Sequence, residues 1–298
     1  MKTLFIGRPP ELGGVHFQIE DVVCADNELC YEIGGCLGTG GNAVVYECID
    51  SINGEELAIK FQLKHEEARI KRFYQESALL RNLRHQHIIK CFANGQVLAK
   101  KYEVVWNGKM TWRLSASIKI PFIVMEKAIS TLGENLRECE HPPEFYIAQF
   151  KGLSLALHEL HSQGIHRDIK PNNILVIGDR WVISDFGLCR LFGDDYQPLT
   201  LDHERIGPRN WMSPELEIQA NGGSNNITKA SDIYQLANVF WKVVNGSKLE
   251  LEEEPLIENW RGPNKLFEPI ANALNINPNA RPQNALEFHN QIESAMLS

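Results

Sequence analysis

The sequence predicts an α+β fold of two lobes, a small β-rich lobe carrying one helix and then a larger helical lobe. Three observations carry this reading. Up to Met125, apolar residues recur in short strand-like runs separated by turn signals, with one helical stretch among them. After Glu126 the apolar period lengthens to that of amphipathic helices. Within the helical part lies one short apolar hairpin with polar ends, "GIHRDIKPNNILVIGDRWVISDFG", Gly164 to Gly187.

Residues 1–30 have weak periodicity and several Gly and Pro, and read as an irregular strap with one strand. Residues 31–127 form the small lobe and residues 128–298 the large one, together a single domain. "AVVYECID" and "EELAIKF" are strands joined by the turn "SING". "HEEARIKRFYQESALLRNL" places Ile70, Phe73, Leu80 and Leu83 at helical spacing. The stretch from His87 to Glu126 returns to strands around the turn "NGK", and its Tyr102–Ile120 part reads as an extended hairpin or a docking ribbon. In the large lobe "EFYIAQFKGLSLALHELHSQG" puts Ile147, Phe150, Leu157 and Leu160 on one helix face. "KASDIYQLANVFWKVVNG" is apolar on all sides and predicts a buried helix. A final surface helix starts at Pro282.

Bulk properties exclude several classes. The 298 residues suffice for one large domain, and 43% hydrophobic with 23% charged residues is an ordinary soluble composition. A net charge of −8 argues against a non-specific nucleic-acid or anionic-membrane binder. No apolar run reaches the length of a membrane span, and the first residues are too short an apolar stretch for a leader, which predicts a cytoplasmic protein. Seven cysteines without a C-x-x-C pair read as reduced thiols. The ten histidines lack metal-binding spacing. The run "KLELEEEP" reads as a solvated charged face.

The hairpin supplies the chemistry. "NILVI" and "WVIS" are its strands, and "GDR" is the turn, with Gly178 free to take φ > 0. Folding its outer ends together brings Asn173 beside Asp185. An amide carbonyl and a carboxylate are hard oxygen ligands suited to Mg²⁺, which fills its shell with phosphate oxygens and water. Asp168 and Lys170 lie just upstream in the same loop. In the small lobe, "LGTGGNAVVYEC" sets Gly38 and Gly40 in a turn where backbone N–H groups can approach a phosphate. Lys60 sits on the strand after that hairpin, and Glu76 on the following helix can meet it.

Taken in order, these motifs resemble the eukaryotic-type (Hanks-type) serine/threonine protein kinase family. "LGTGGNAVV" looks like the glycine-rich loop, "LAIK" like the strand lysine motif, and "HRDIKPNN" like the catalytic loop. "DFG" and "SPE" bound an activation segment, "SDIY" opens the buried helix, and "NARP" supplies a late arginine. The resemblance implies a bilobal kinase fold and transfer of the ATP γ-phosphate to protein hydroxyls with Mg²⁺. It also implies roles. Lys60, positioned by Glu76, would bind the α/β-phosphates under Leu37, Gly38, Thr39 and Gly40. Val45, Ala58 and Leu175 would sandwich adenine, with Met125 as gatekeeper and Glu126 to Ala128 as hinge. Asp168 would act on the substrate hydroxyl, Lys170 on the γ-phosphate, and Asn173 and Asp185 on Mg²⁺. Asp232 would bond the catalytic-loop backbone, and Arg281 would pair with Glu215.

The sequence departs from the family at three places. Ala43 replaces the third loop glycine, Asn42 an aromatic, and Pro208 a hydroxyl residue that usually bonds the catalytic Asp and Lys. Arg167 before Asp168 implies control by an anion on the activation segment, with Thr200 and then Tyr196 as autophosphorylation candidates, or else by the carboxylates already there. The rival readings are a pseudokinase or ATP-binding scaffold, against which the intact Lys60, Asp168, Asn173 and Asp185 argue, and a small-molecule kinase, whose catalytic loop usually lacks the "DIKPNN" form.

Overall fold

The structure, a computed structural model, describes residues 3–7, 15–106, 110–193, 209–250 and 253–297. It divides into two compact units, Met1–Arg81 with Lys90–Lys127, and Asn82–Ile89 with Ala128–Ser298.

The first unit contains β1 (Thr3–Gly7), β2 (Val15–Glu20), β3 (Val22–Cys24), β4 (Cys30–Thr39), β5 (Ala43–Asp50), β6 (Glu56–Gln62), α1 (Glu67–Asn82), β7 (Cys91–Trp106) and β8 (Met110–Glu126). Among the described residues the strands make one eight-stranded antiparallel sheet, ordered β1-β2-β7-β8-β6-β5-β4-β3. The strand period of two sorts the residues. Val44, Tyr46, Ile59, Phe61, Phe122 and Val124 point to one face and form the sheet's hydrophobic core with Phe17 and Tyr31. The opposite face carries Val45, Lys60 and Ile123 in one cross-strand row and Glu47, Ala58 and Met125 in the next.

The first thirty residues differ from the expected strap. Among the described residues they supply three strands: β3 pairs with β4, β1 pairs with β2, and β2 pairs with β7 from Val15↔Glu103 to Gln18↔Lys100. That pairing also accounts for the Tyr102–Ile120 ribbon: it is the outer part of the long β7–β8 hairpin, and the strap covers its flank. Its "NGK" turn lies outside the described residues. The reading of all seven cysteines as free thiols is corrected for two. Cys24 and Cys30 are directly opposite in the β3–β4 pair and are joined as a disulfide. Strand register brought them together, and a search for C-x-x-C spacing does not see register. Cys36, Cys48, Cys91, Cys139 and Cys189 form no disulfide.

The second unit contains β9 (Ser130–Thr131), α2 (Leu132–Glu138), α3 (Pro143–Leu160), β10 (Gly164–Ile165), β11 (Ile174–Ile177), β12 (Arg180–Ile183), β13 (Arg190–Leu191), α4 (Pro214–Ala220), α5 (Lys229–Asn245), α6 (Phe267–Ala273) and α7 (Ala285–Leu297). Residues 82–89 also pack here, although the sequence placed them in the small lobe. Ile89 N–H donates to the Ile183 carbonyl at 3.0 Å, and Ile183 N–H to the His87 carbonyl at 2.8 Å. The core centres on α5. Its Phe240 stacks on Phe150 of α3 with centroids 4.1 Å apart, and Trp181 of β12 meets Phe150 edge-on at 5.7 Å. The last helix starts at Ala285, not at Pro282. Asn284 caps it by accepting the Glu287 N–H at 2.9 Å, while the Glu287 side chain accepts the Gln283 N–H at 2.8 Å.

One close contact in this core makes a stability prediction. A Cβ on Gly152 would lie 2.1 Å from His87 Nε2, and that ring is fixed by Nδ1 at 2.7 Å from the Trp181 carbonyl. Gly152→Ala is expected to cost about 1–3 kcal/mol through overpacking, read as a lower urea midpoint at constant slope. Burial holds the His87 imidazole below its ordinary value of 6.5. The folded form therefore resists a proton that the unfolded chain accepts. This contribution is complete above the unfolded value and is lost as pH falls below it towards the depressed folded value. His87→Gln should narrow the stability difference between about pH 7.5 and pH 5.5, measured by the same denaturation.

Candidate active site

The first unit provides a lysine held by a carboxylate. Lys60 Nζ lies 2.8 Å and 3.0 Å from the two Glu76 oxygens, with the side chains 14% and 4% exposed. A buried ion pair is tolerated only with such geometry, since neither charge can rely on water. Phe73, one turn before Glu76 on α1, places its ring centroid 6.0 Å from the same ammonium. Val45 is the cross-strand neighbour of Lys60, and Ala58 is the neighbour of Met125. Val45, Ala58, Lys60 and Met125 thus share one sheet face. Glu126 N–H donates to the Lys90 carbonyl at 3.1 Å and its carboxylate accepts the Lys90 N–H at 3.0 Å, so the end of β8 is tied back to the residue preceding β7.

The glycine-rich stretch joins β4 to β5. Gly38 pairs with Val45 and Thr39 with Val44, after a register shift between Cys36 and Gly38. Gly40 N–H donates to the Ala43 carbonyl at 2.8 Å, closing the turn. Leu37, Gly38, Thr39 and Gly40 are exposed, and a Cβ on Gly38 would meet nothing within 4 Å. Ala43 in place of a third glycine therefore leaves the turn intact.

The second unit assembles the residues of the "HRDIKPNN" loop. Lys170 Nζ donates to both Asp168 oxygens at 2.8 and 2.7 Å. Asn173 Nδ2 donates to Asp168 Oδ2 and to the Asp168 carbonyl, both at 2.8 Å. The β11–β12 hairpin has Ile174 opposite Ile183, with Gly178 at φ 60° in its two-residue turn. Its outer ends meet: Ser184 N–H and Oγ both donate to the Asn173 carbonyl at 2.9 Å, and Asp185 follows at φ 58°. Leu175 lies on β11, between Val182 and Thr131. Burial pushes the Asp168 carboxyl above its ordinary value; the Lys170 ammonium opposes this and the nearby Asp185 carboxylate adds to it.

This loop is held from beneath by α5. Asp232, 0% exposed, accepts the His166 N–H at 2.7 Å, the Arg167 N–H at 2.8 Å and His161 Nε2 at 3.0 Å. One turn later Gln235 accepts the Ile169 N–H at 3.2 Å and donates to the Trp211 carbonyl at 3.1 Å. Arg167 has φ 67°, unusual for a bulky residue, and its Nε donates to the Leu188 carbonyl at 2.7 Å. Arg281 makes a two-pronged pair with Glu215 at 2.7 and 2.9 Å, which holds the Glu215 carboxyl low against its burial. His161, Ser184 and Gln235 were not singled out from sequence. For Gln235 a signal existed, a polar residue three after Asp232 in a largely apolar stretch of helix. Thr200, Tyr196 and Pro208 lie outside the described residues.

Asp232→Asn keeps the shape but turns an amide N–H towards donors. It is expected to cost on the order of 3 kcal/mol, because buried partners lose their carboxylate, and urea denaturation checks this.

Comparison with known proteins gives the same reading of the chain. The protein kinase domain model matches residues 31–294. A probable serine/threonine-protein kinase of Streptomyces coelicolor is 29% identical over 287 residues, covering 89% of this chain and 40% of that protein. The DNA damage-responsive serine/threonine-protein kinase RqkA of Deinococcus radiodurans is 29% identical over 259 residues, 83% of this chain and 34% of its own. Serine/threonine-protein kinase PknB of Mycobacterium leprae is 29% identical over 236 residues, 76% of this chain and 34% of its own. The chain therefore spans 34% to 40% of the length of these three curated relatives. The matched stretch begins in β4 and ends in α7, so nearly every element described above falls within it, and the chain belongs to the protein kinase family.

Proposed function

We propose that this chain transfers the γ-phosphate of ATP to serine or threonine hydroxyls of protein substrates. The observation that carries the proposal is the Asp168–Lys170–Asn173 cluster, in a loop whose backbone is held by Asp232. Asp168 has a carboxylate at hand to accept or orient the proton of the attacking hydroxyl. Lys170 brings a positive charge within 2.7 Å of that carboxylate, where it would neutralise charge developing on the transferred phosphoryl group. Lys60, fixed by Glu76, would take the α/β-phosphates, and Leu37, Gly38, Thr39 and Gly40 would cover them. Val45, Ala58 and Leu175 would enclose adenine beside Met125, with hinge backbone from Glu126 to Ala128.

The residues present suit Mg²⁺. Asn173 has its Nδ2 committed to Asp168, which leaves Oδ1, a hard oxygen, as the end to meet a cation, and Asp185 adds a carboxylate. When bound, the ion supplies neutralisation of phosphate charge. Lysine two residues after Asp168 favours serine or threonine over tyrosine as acceptor. Autophosphorylation at Thr200, or at Tyr196, belongs to the same proposal, as does action in the cytoplasm, where ATP is available. Among the described residues no helix is long and apolar enough to cross a membrane.

Incubation with ATP, Mg²⁺ and generic basic proteins, followed by mass spectrometry, tests the reading through the hydroxyls that gain phosphate. Asp168→Asn should lower transfer at least about 10²-fold while leaving ATP binding nearly unchanged, since the group acts on the hydroxyl. Asp185→Ala should weaken Mg·ATP binding as well. Wild-type turnover in Asp168→Asn would reject the assignment. Because the Asp168 carboxyl is raised by burial and must be ionised to accept a proton, activity should fall on the acid side from a higher pH than an ordinary aspartate would give.

A further inference from the structure

The glycine-rich turn has few anchors of its own. A Cβ on Gly38 or Gly41 would meet nothing within 4 Å, and the turn is exposed. Its backbone is held at two points, Gly40 N–H to the Ala43 carbonyl at 2.8 Å and Leu63 N–H to the Asn42 carbonyl at 2.9 Å. A side chain reaches its tip from elsewhere: Arg69 Nη1 donates to Asn42 Oδ1. Arg69 stands in the first turn of α1, where a cation opposes the helix dipole, so helix stability does not explain its position. Glu66 steadies it, with a carboxylate 3.3 Å from Nε and a carbonyl 2.8 Å from its N–H.

The placement on α1 gives the contact its meaning. Arg69 and Glu76 are seven residues apart, two turns, and so share a helix face, with Phe73 buried between them. Glu76 holds Lys60 from that face, and Arg69 holds the loop tip from it. We propose that Arg69 is a positioning residue: through Asn42 it clamps the glycine-rich loop to the helix that sets Lys60, so that one rigid face pre-orders two phosphate-binding parts. The inference rests on the reading of this loop as the cover of ATP phosphates. A charge-assisted bond made before ligand arrives lowers the ordering cost of binding. Its benefit is confined to the phosphate end of the ligand, because Val45 and Ala58 stand on the sheet and not on the loop tip.

The test is a double-mutant cycle with Asn42→Ala, Arg69→Ala and the pair, with Arg69→Lys as the conservative variant. Backbone hydrogen exchange over residues 38–43 is followed by mass spectrometry without nucleotide, and calorimetry measures binding of Mg·ATP and of adenosine. Each alanine variant should speed exchange in the loop and weaken Mg·ATP binding roughly three- to tenfold, the value of one lost hydrogen bond. The double variant should be no worse than either single one, adenosine affinity should be unchanged, and Arg69→Lys should recover part of the loss. Unchanged loop exchange in Asn42→Ala, additive effects in the double variant, or an equal loss of adenosine affinity would each overturn the clamp. Asn42 lies on an exposed turn, so its variant is informative even if Arg69→Ala folds poorly. Wild-type protein that binds no Mg·ATP would refute the nucleotide reading, and the exchange cycle would still decide whether the clamp exists.

Discussion

The Asp232 carboxylate is the constraint on which the second unit depends. A charge removed from water must be given donors, and here they are two consecutive backbone N–H groups and an imidazole. That requirement draws the His166–Asn173 loop onto α5 and holds Arg167 in a left-handed conformation that a bulky side chain would otherwise avoid. Gln235 extends the hold to Ile169 and to Trp211, two residues before the "SPE" motif. Most of α5 from Ala230 to Trp241 is buried, and its Phe240 packs against Phe150 and Trp260.

The first unit solves a different problem. Its sheet separates an apolar face from a face that carries Lys60, and a single helix covers the second with one carboxylate aimed at the ammonium. β1 and β2 widen this sheet beside β7 and support the outer part of the long β7–β8 hairpin, which would otherwise stand as a two-stranded ribbon of low stability, while β3 closes the other edge on β4.

Charge is arranged in matched groups in both units. Lys60 meets Glu76, Lys170 meets Asp168, and Arg281 meets Glu215 while lying 4.7 Å over the Tyr234 ring. The first two pairs join groups for which phosphate chemistry is proposed above. The third stays well inside the helical unit, with Arg281 fully buried, and secures α4 to the segment before α7.

Local pattern determined a large part of this protein. The strand alternation of β5 and β6, the helical spacing of α1, α3 and α5, and the Gly-Asp turn of the β11–β12 hairpin are short-range properties, and each is written in adjacent residues. Motif order also picked out Lys60 and Glu76, and Asp168, Lys170 and Asn173, as two groups, and the structure brings the members of each group into hydrogen-bond contact. Tertiary structure decided what depends on register and distant packing. Cys24 meets Cys30 only because β3 and β4 pair in that register, and the strap became strands because β7 extended far enough to pair with it. Residues 82–89 joined the second unit through Ile183, nearly a hundred residues away. The Arg69–Asn42 contact and the use of Gln235 and His161 are of the same kind. A hydrogen bond between remote side chains leaves no periodic trace, since its energy depends on where folding puts two groups and not on what stands beside either of them.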